Sequence, residues 1–156
     1  MSKKAQVWLI TGLIIGLLAF IWGNSMMTAP SSDSVSRGVL DRLGEFIPFF
    51  ANGAHHKVLR KIAHFSEFFL LGLLCAAQRV KSEKLLTFGL IAFGLIAACI
   101  DETIQIFVLG RSSSLLDVWL DISGFATGVA VVAIGYALHK RKQKPKPQKY
   151  NLRRKH

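Results

Sequence analysis

Long apolar stretches alternate with short polar connections along this chain, and that alternation limits what it can fold into. The first stretch, Ala5–Met27, contains only Gln6, Thr11, Asn24 and Ser25 as polar residues. It is longer than the apolar core of a signal peptide, which is about 7–15 residues, and no clean small-residue cleavage motif follows it. About 20 apolar residues cross a bilayer as a helix. The sequence therefore predicts a retained membrane span here.

Three further spans are predicted from later apolar segments. The four predicted spans cover about residues 5–27, 61–78, 85–105 and 115–138. The second and third are long enough only if their polar ends, Lys61–Glu67 and Asp101–Gln105, also enter the membrane. The predicted fold is therefore all-α, an integral-membrane four-helix bundle formed by residues 1–139.

The connection between the first two predicted spans carries an amphipathic pattern. Apolar residues recur there at helical spacing, at Val35, Val39, Leu43 and Phe46. Such a pattern is typical of a short helix lying on the membrane surface. Pro48 would end it, so the predicted interfacial helix covers about residues 34–46.

Basic residues are distributed unevenly about the predicted spans, and this sets the orientation. Four spans put both termini on one side, which then holds fourteen of the 20 Lys and Arg residues, against six on the other side. The positive-inside rule places that side, with both termini, in the cytoplasm of a cell-membrane protein. The basic segment 140–156 contains Pro145 and Pro147 and is predicted to be a disordered tail.

The sequence also argues against a nucleic-acid partner and against a disulfide bond. The formal charge of +11 is not interleaved with aromatic residues outside the spans, and no nucleic-acid-binding motif is present, so we expect no nucleic-acid partner. Cys75 and Cys99 have no metal-type spacing, and antiparallel spans would separate them beyond the roughly 7 Å Cα limit for a disulfide. We therefore expect two free cysteines.

Ionisable residues stand out against this background, because a charged group inside a bilayer is costly and is functional by default. In the predicted topology they gather, together with the polar amide of Gln105, at one depth near the outer boundary: His64, Glu67, Asp101, Glu102, Gln105, Arg111, Asp117 and Asp121. Three helix ends contribute to this set. The sequence therefore predicts that these side chains surround one outward-opening cavity.

Helical phase predicts that the acids point into the bundle. Two stripes combine acids with small residues, namely Gly94, Ala98, Asp101 and Gln105, and Asp117, Asp121, Gly124, Gly128 and Gly135. Small residues let helix backbones approach closely, so acids on the same face should contact neighbouring helices rather than lipid. Gly12, Gly16 and Gly23 form a similar stripe in the first span. There the alternatives are close packing and ordinary glycine in a membrane helix.

The chemistry of the polar set leaves its role open. In an enzyme, His64 would be the general acid or base with Glu67 or Asp101 as its partner. The candidate metal ligands, which suit Mg²⁺ or Mn²⁺, are Glu67, Asp101, Glu102, Asp117 and Asp121. The candidate ligand-binding residues are Lys61, Gln105, Arg111, Asp117 and Asp121. A purely structural ion network that fixes helix register is the third possibility.

Two local features have their own alternatives. Arg111, beside a helix start that Ser114 would cap, suits a phosphate or carboxylate, or a salt bridge to Asp117 or Glu102. The His55-His56 pair could bind metal or simply be solvated.

This constellation resembles the VanZ-like family of small bacterial membrane proteins. The matching motifs, over about residues 20–135, are Asn24-Ser25, Lys61-x-x-His64-Phe65 with Glu67, Asp101-Glu102-x-x-Gln105, Gly110-Arg111 with Asp117, and Gly124-x-x-x-Gly128. One departure is Asp121, where the family usually shows asparagine. The family takes its name from a protein linked to teicoplanin resistance, so the resemblance implies a role in antibiotic resistance or envelope maintenance.

The expected partner is a lipid head group or a lipid-linked cell-wall intermediate. Some family members are labelled phosphotransbutyrylases, but this sequence has no phosphate-cradling glycine loop to support that activity. Three hypotheses therefore remain at this point. They are a binding module, a metal-assisted enzyme acting on a phospholipid or lipid-linked phosphate, and a structural network without chemistry.

Overall fold

The computed structural model describes residues 2–44, 56–80, 88–111 and 113–143, and every regular element in them is an α-helix. The helices are α1 (Lys3–Ser25), α2 (Ala29–Gly44), α3 (His56–Val80), α4 (Phe88–Ile106) and α5 (Leu115–Gln143). The all-α class is confirmed. Within the described residues, three helices are long and apolar enough to cross a membrane, namely α1, α4 and α5.

Helix α3 is not among those three, although the sequence predicts a span there. Its first half carries Arg60, Lys61 and Glu67, which lower its hydropathy. It nevertheless contacts all four other helices, and α5 most extensively. Phe68 and Leu71, on its second and third turns from Lys61, are completely buried. Helix α3 is therefore the centre of the assembly rather than a peripheral helix.

Three helix boundaries differ from the predicted ones. Helix α2 starts at Ala29, because Pro30 fits the first turn of a helix, where its missing N–H is not needed. Helix α3 already starts at His56. Helix α5 runs to Gln143, so the first residues of the predicted disordered tail are helical; their Lys and Arg side chains complement the helix dipole. Residues 45–55, 81–87 and 144–156 lie outside the described residues. The predicted helix end at Phe46 and Pro48, His55, the predicted start of the third span at 85 and most of the predicted tail fall in these ranges.

Glycines on α5 let it approach α3 closely. A Cβ added to Gly124 would lie 2.5 Å from the carbonyl oxygen of Phe65, and one added to Gly128 would overlap that of Phe69. Asp121, on the same stripe, is buried. The prediction that acids and packing glycines share one face of this helix is therefore confirmed at these positions.

Other glycines have no such contact. An added Cβ would meet nothing within 4 Å in the described chain at Gly12, Gly16, Gly23 or Gly135. The stripe on α1 is thus ordinary glycine on an exposed helix face, the second of the two alternatives. On α4, by contrast, the whole predicted stripe is buried: Gly94, Ala98, Asp101 and Gln105.

Both cysteines are free, as expected. Cys75 is buried on α3 and Cys99 is exposed on α4.

Candidate functional site

Polar side chains meet where α1 and α4 end and where α3 and α5 begin. Asp101, which is completely buried, connects three of these helices. Its Oδ1 accepts a 2.6 Å hydrogen bond from Ser25 Oγ, and its Oδ2 accepts one of 2.9 Å from Gln105 Nε2. The same Oδ2 lies 3.6 Å from His64 Nδ1. A single carboxylate on α4 is therefore positioned against both α1 and α3.

Glu102 joins the end of α4 to the start of α5. Its Oε2 accepts a hydrogen bond of 3.0 Å from the backbone N–H of Ser114, and its Oε1 lies 3.3 Å from Gln105 Nε2. The Ser114 hydroxyl accepts from the N–H of Leu116 at 3.2 Å, so Ser114 caps α5 as predicted. Both Glu102 oxygens therefore accept hydrogen bonds, and the residue connects the end of α4 to the start of α5.

Asp121 is the least satisfied acid of the set. Its side chain is 1% exposed, and neither of its oxygens has a hydrogen-bond partner among the described residues. One ligand atom from each of His64, Asp101 and Asp121 lies within 4.8 Å of the other two. The structure thus gathers a group capable of holding a metal. It contains two of the predicted metal ligands, Asp101 and Asp121, together with the imidazole that was predicted to be catalytic.

The remaining predicted ligands have other partners. Glu67 Oε1 accepts a 2.9 Å hydrogen bond from Asn24 Nδ2, whereas its buried Oε2 has none among the described residues. Asp117 lies 3.0 Å from Lys61 Nζ, with side chains 27% and 58% exposed. The lysine end of that ion pair is accessible to solvent, although Asp117 Oδ1 is buried, and solvation of the lysine keeps the net contribution to stability small. In the structure Lys61 pairs with Asp117.

Arg111 contacts neither Asp117 nor Glu102, the two partners considered for a salt bridge. Its Nε donates to the carbonyl oxygen of Met27 and its Nη2 to that of Asn24, both at 3.0 Å. These carbonyls lie at the C-terminal end of α1, where helix carbonyls lack intrahelical partners. Nη1 is buried without a hydrogen-bond partner in the described chain. Burial lowers the pKa of Arg111, and the nearby Arg60 lowers it further.

Two cavities, not one, open among these side chains. The first, which we call the α2 cavity, has a volume of about 230 Å³ and is lined by Asn24, Met27, Ser32, Val35, Val39, Leu59, Arg60, Ala63, His64, Glu67 and Arg111. The second, the α5 cavity, is also about 230 Å³ and is lined by Arg60, Lys61, His64, Glu102, Gln105, Ser114, Asp117, Leu120 and Asp121. Arg60 and His64 line both cavities and lie between them.

Arg60 is the residue that the sequence analysis missed. It precedes His64 by one helical turn, so the two share a face of α3. That spacing could have identified it. Ser25 was noted only as part of a motif, and its bond to Asp101 depends on how α1 meets α4.

A family model described as VanZ/LLP1 matches residues 10–136. No curated protein and no solved structure shows comparable similarity to the chain. The match covers most of the sequence and includes every residue of the two cavities. Together with three apolar helices of spanning length, it identifies the chain as a membrane protein of the VanZ/LLP1 family.

Proposed function

We propose that this VanZ-like protein binds the phosphate of a lipid head group, or of a lipid-linked envelope intermediate, in the α2 cavity. The observation that carries the proposal is the pair of guanidinium groups, Arg60 and Arg111, lining one cavity of about 230 Å³. One nitrogen of Arg111, Nη1, is buried and has no hydrogen-bond partner among the described residues. Guanidinium groups present several donors in a fixed plane and match phosphate oxygens well.

The charges of the cavity support an anionic ligand. Arg60 and Arg111 are close enough for the first to lower the pKa of the second. Arginine stays protonated in proteins, so the two cations repel each other until an anion lies between them. Glu67 contributes the one carboxylate in this lining, and its Oε2 has no hydrogen-bond partner in the described chain. It would meet the amine of a zwitterionic head group.

The apolar part of the cavity wall supports a lipid rather than a soluble phosphate. Helix α2 contributes Val35 and Val39 to the lining, and α3 contributes Leu59. Val35 and Val39 are also 57% and 43% exposed, so α2 presents an apolar surface beyond the cavity. An amphipathic helix with such a face lies in the plane of a membrane interface. A lipid held under α2 would therefore keep its acyl chains beside this helix.

The same arrangement supports a fuller topology. We propose that α3 crosses the membrane as a fourth span, with α1, α4 and α5, since its polar residues Arg60, His64 and Glu67 are partly buried against the neighbouring helices. Both termini would then lie in the cytoplasm, as the charge distribution predicts. The two cavities would open towards the outer surface, where an envelope intermediate is exposed.

Binding can be measured with a lipid that differs from its control only in the phosphate. The purified full-length protein in detergent is mixed with short-chain phosphatidic acid or with the matching diacylglycerol, and bound lipid is detected by native mass spectrometry. We expect phosphatidic acid alone to bind. Arg60→Gln should weaken it by about 10-fold or more, because a hydrogen bond to a charged group contributes about 1.5–3 kcal/mol.

Arg42→Gln is the matched control, since Arg42 lies exposed on α2 and lines neither cavity. It removes the same charge and should leave binding unchanged. Arg111→Gln is less informative because it also removes the bonds to the carbonyl oxygens of Asn24 and Met27. Equal binding by the Arg60→Gln and Arg42→Gln variants, or equal binding of diacylglycerol and phosphatidic acid, would refute head-group recognition by this cavity.

The proposed cellular role is protection of the envelope against glycopeptides of the teicoplanin type. Expression in a susceptible strain should raise the inhibitory concentration of teicoplanin. Arg60→Gln at an equal membrane level should abolish that rise, whereas Arg42→Gln should not. A rise that is unchanged by Arg60→Gln would separate resistance from the α2 cavity.

A further inference from the structure

We propose that His64, Asp101 and Asp121 form a binding site for a divalent cation between α3, α4 and α5. Their three ligand atoms lie within 4.8 Å of one another, so a common point exists about 2.8 Å or less from each, close to the roughly 2.0–2.6 Å of metal–ligand bonds. Inward movement of up to about 0.8 Å for each atom would bring all three to the roughly 2.0–2.2 Å of Zn²⁺–ligand bonds.

The unsatisfied groups at this point favour a cation. Asp121 is 1% exposed, and both of its oxygens lack a hydrogen-bond partner among the described residues. His64 Nδ1 is buried and has no hydrogen bond either. A buried carboxylate without a partner is costly, and here a second buried carboxylate, Asp101, adds like-charge repulsion. A divalent cation would offset both charges and use the Nδ1 lone pair of a neutral imidazole.

The surroundings are suited to complete the coordination. The α5 cavity, of about 230 Å³, reaches Asp121 and His64 and has room for water ligands. Three carboxylates, those of Glu102, Asp117 and Asp121, line this cavity together with two cations, Arg60 and Lys61. Asp101 adds a fourth carboxylate beside it. One imidazole nitrogen with carboxylate oxygens is a donor set that Mn²⁺ and Zn²⁺ accept.

The site goes beyond head-group binding and does not depend on it. Of the three proposed metal ligands, only His64 lines the α2 cavity. A cation could therefore be bound with or without a lipid phosphate.

The test is direct metal binding by the full-length protein, purified through a tag that contains no histidine and treated with a chelator. Mn²⁺ is titrated and its free form measured by electron paramagnetic resonance; Zn²⁺ is titrated calorimetrically. We expect one ion per chain for at least one of the two metals. Asp121→Asn should weaken it by about 10-fold or more, in line with losses seen when metal sites are altered. His64→Gln should do the same.

Two controls separate this site from other sources of binding. Asp33→Asn removes the same charge from α2, and Asp33 belongs neither to the proposed group nor to the α5 cavity. The double variant His55→Gln, His56→Gln removes the adjacent histidines near the start of α3. Both should retain the ion. Binding lost only in the double variant, or equally in Asp33→Asn and Asp121→Asn, would overturn the proposal.

The remaining outcomes are also decisive. If neither Mn²⁺ nor Zn²⁺ binds the wild-type protein, the site is refuted. If Asp121→Asn does not elute as a folded species in size-exclusion chromatography, the His64→Gln variant decides. Phosphatidic acid binding is measured on the same preparations. If the protein binds phosphatidic acid but no metal, only the cation site is refuted. If it binds metal but no phosphatidic acid, only the head-group proposal is refuted.

Discussion

The α5 cavity lies between residues of α3 and α5, and Gly128→Ala tests the close contact of these two helices. A Cβ at this position would overlap the carbonyl oxygen of Phe69 and lie 2.8 Å from the backbone nitrogen of Leu73. Because both atoms belong to the backbone, no side-chain rotation relieves the overlap, and the helices must separate. Overpacking costs about 1–3 kcal/mol, whereas the better helix propensity of alanine returns at most about 1 kcal/mol.

Gly135→Ala on the same helix supplies the matched control. An added Cβ there meets nothing within 4 Å in the described chain, so only the gain in helix propensity remains. The difference in unfolding free energy between the two variants should therefore equal the packing term alone, about 1–3 kcal/mol. It is measured by denaturant unfolding of both proteins in the same detergent. Equal unfolding midpoints would refute the close approach of α3 and α5.

Three further predictions concern exposure and spacing. A cysteine placed at the exposed Ser113 should react with an impermeant thiol reagent in whole cells, whereas one at Ser82, outside the described residues, should not; the reverse pattern would contradict cytoplasmic termini. In detergent, Cys99 should react with maleimide well before Cys75, since only Cys75 is buried; equal rates would argue against the packing of α3. Gly124→Ala should weaken Mn²⁺ binding, because its Cβ would approach Phe65 and shift Asp121 away from His64; an unchanged affinity would show that this spacing does not govern the site.

Helical phase predicted the inward-facing acids well. Asp101, Gln105 and Asp121 are all buried, and each lies on a face with small residues that pack against another helix. The prediction worked because a helix has one period, and a small residue on a membrane helix marks where a backbone can approach. It needed no knowledge of which helix was the neighbour. Where that knowledge was needed, as for the glycines on α1, phase alone could not decide.

The partners of individual side chains were beyond such an argument. Arg111 contacts carbonyls at the end of α1, a choice that depends on the position of a helix more than eighty residues earlier in the chain. Arg60 and Lys61 are adjacent in sequence but lie about 100° apart around a helix. One therefore lines both cavities while the other pairs with Asp117. Sequence spacing predicts shared faces, but contacts between helices require their relative placement.

The structure also sharpens the comparison between a functional site and a network that only fixes helix register. Asp117 pairs with Lys61, whose side chain is 58% exposed. Water can therefore solvate Lys61 when Asp117→Asn removes the charge, and the loss should be about 0–1 kcal/mol, the range for exposed pairs. His64→Gln instead changes a largely buried side chain beside Asp101 and Asp121. If the network only fixes register, His64→Gln should lower membrane abundance while teicoplanin resistance per folded molecule stays constant. If the group has a function, resistance per folded molecule should fall in His64→Gln at nearly normal abundance, and Asp117→Asn should leave abundance unchanged in both cases. Immunoblotting of membranes beside susceptibility measurements gives the ratio. A strong loss of abundance in Asp117→Asn would show that the Lys61–Asp117 pair stabilises the fold far more than its exposure allows.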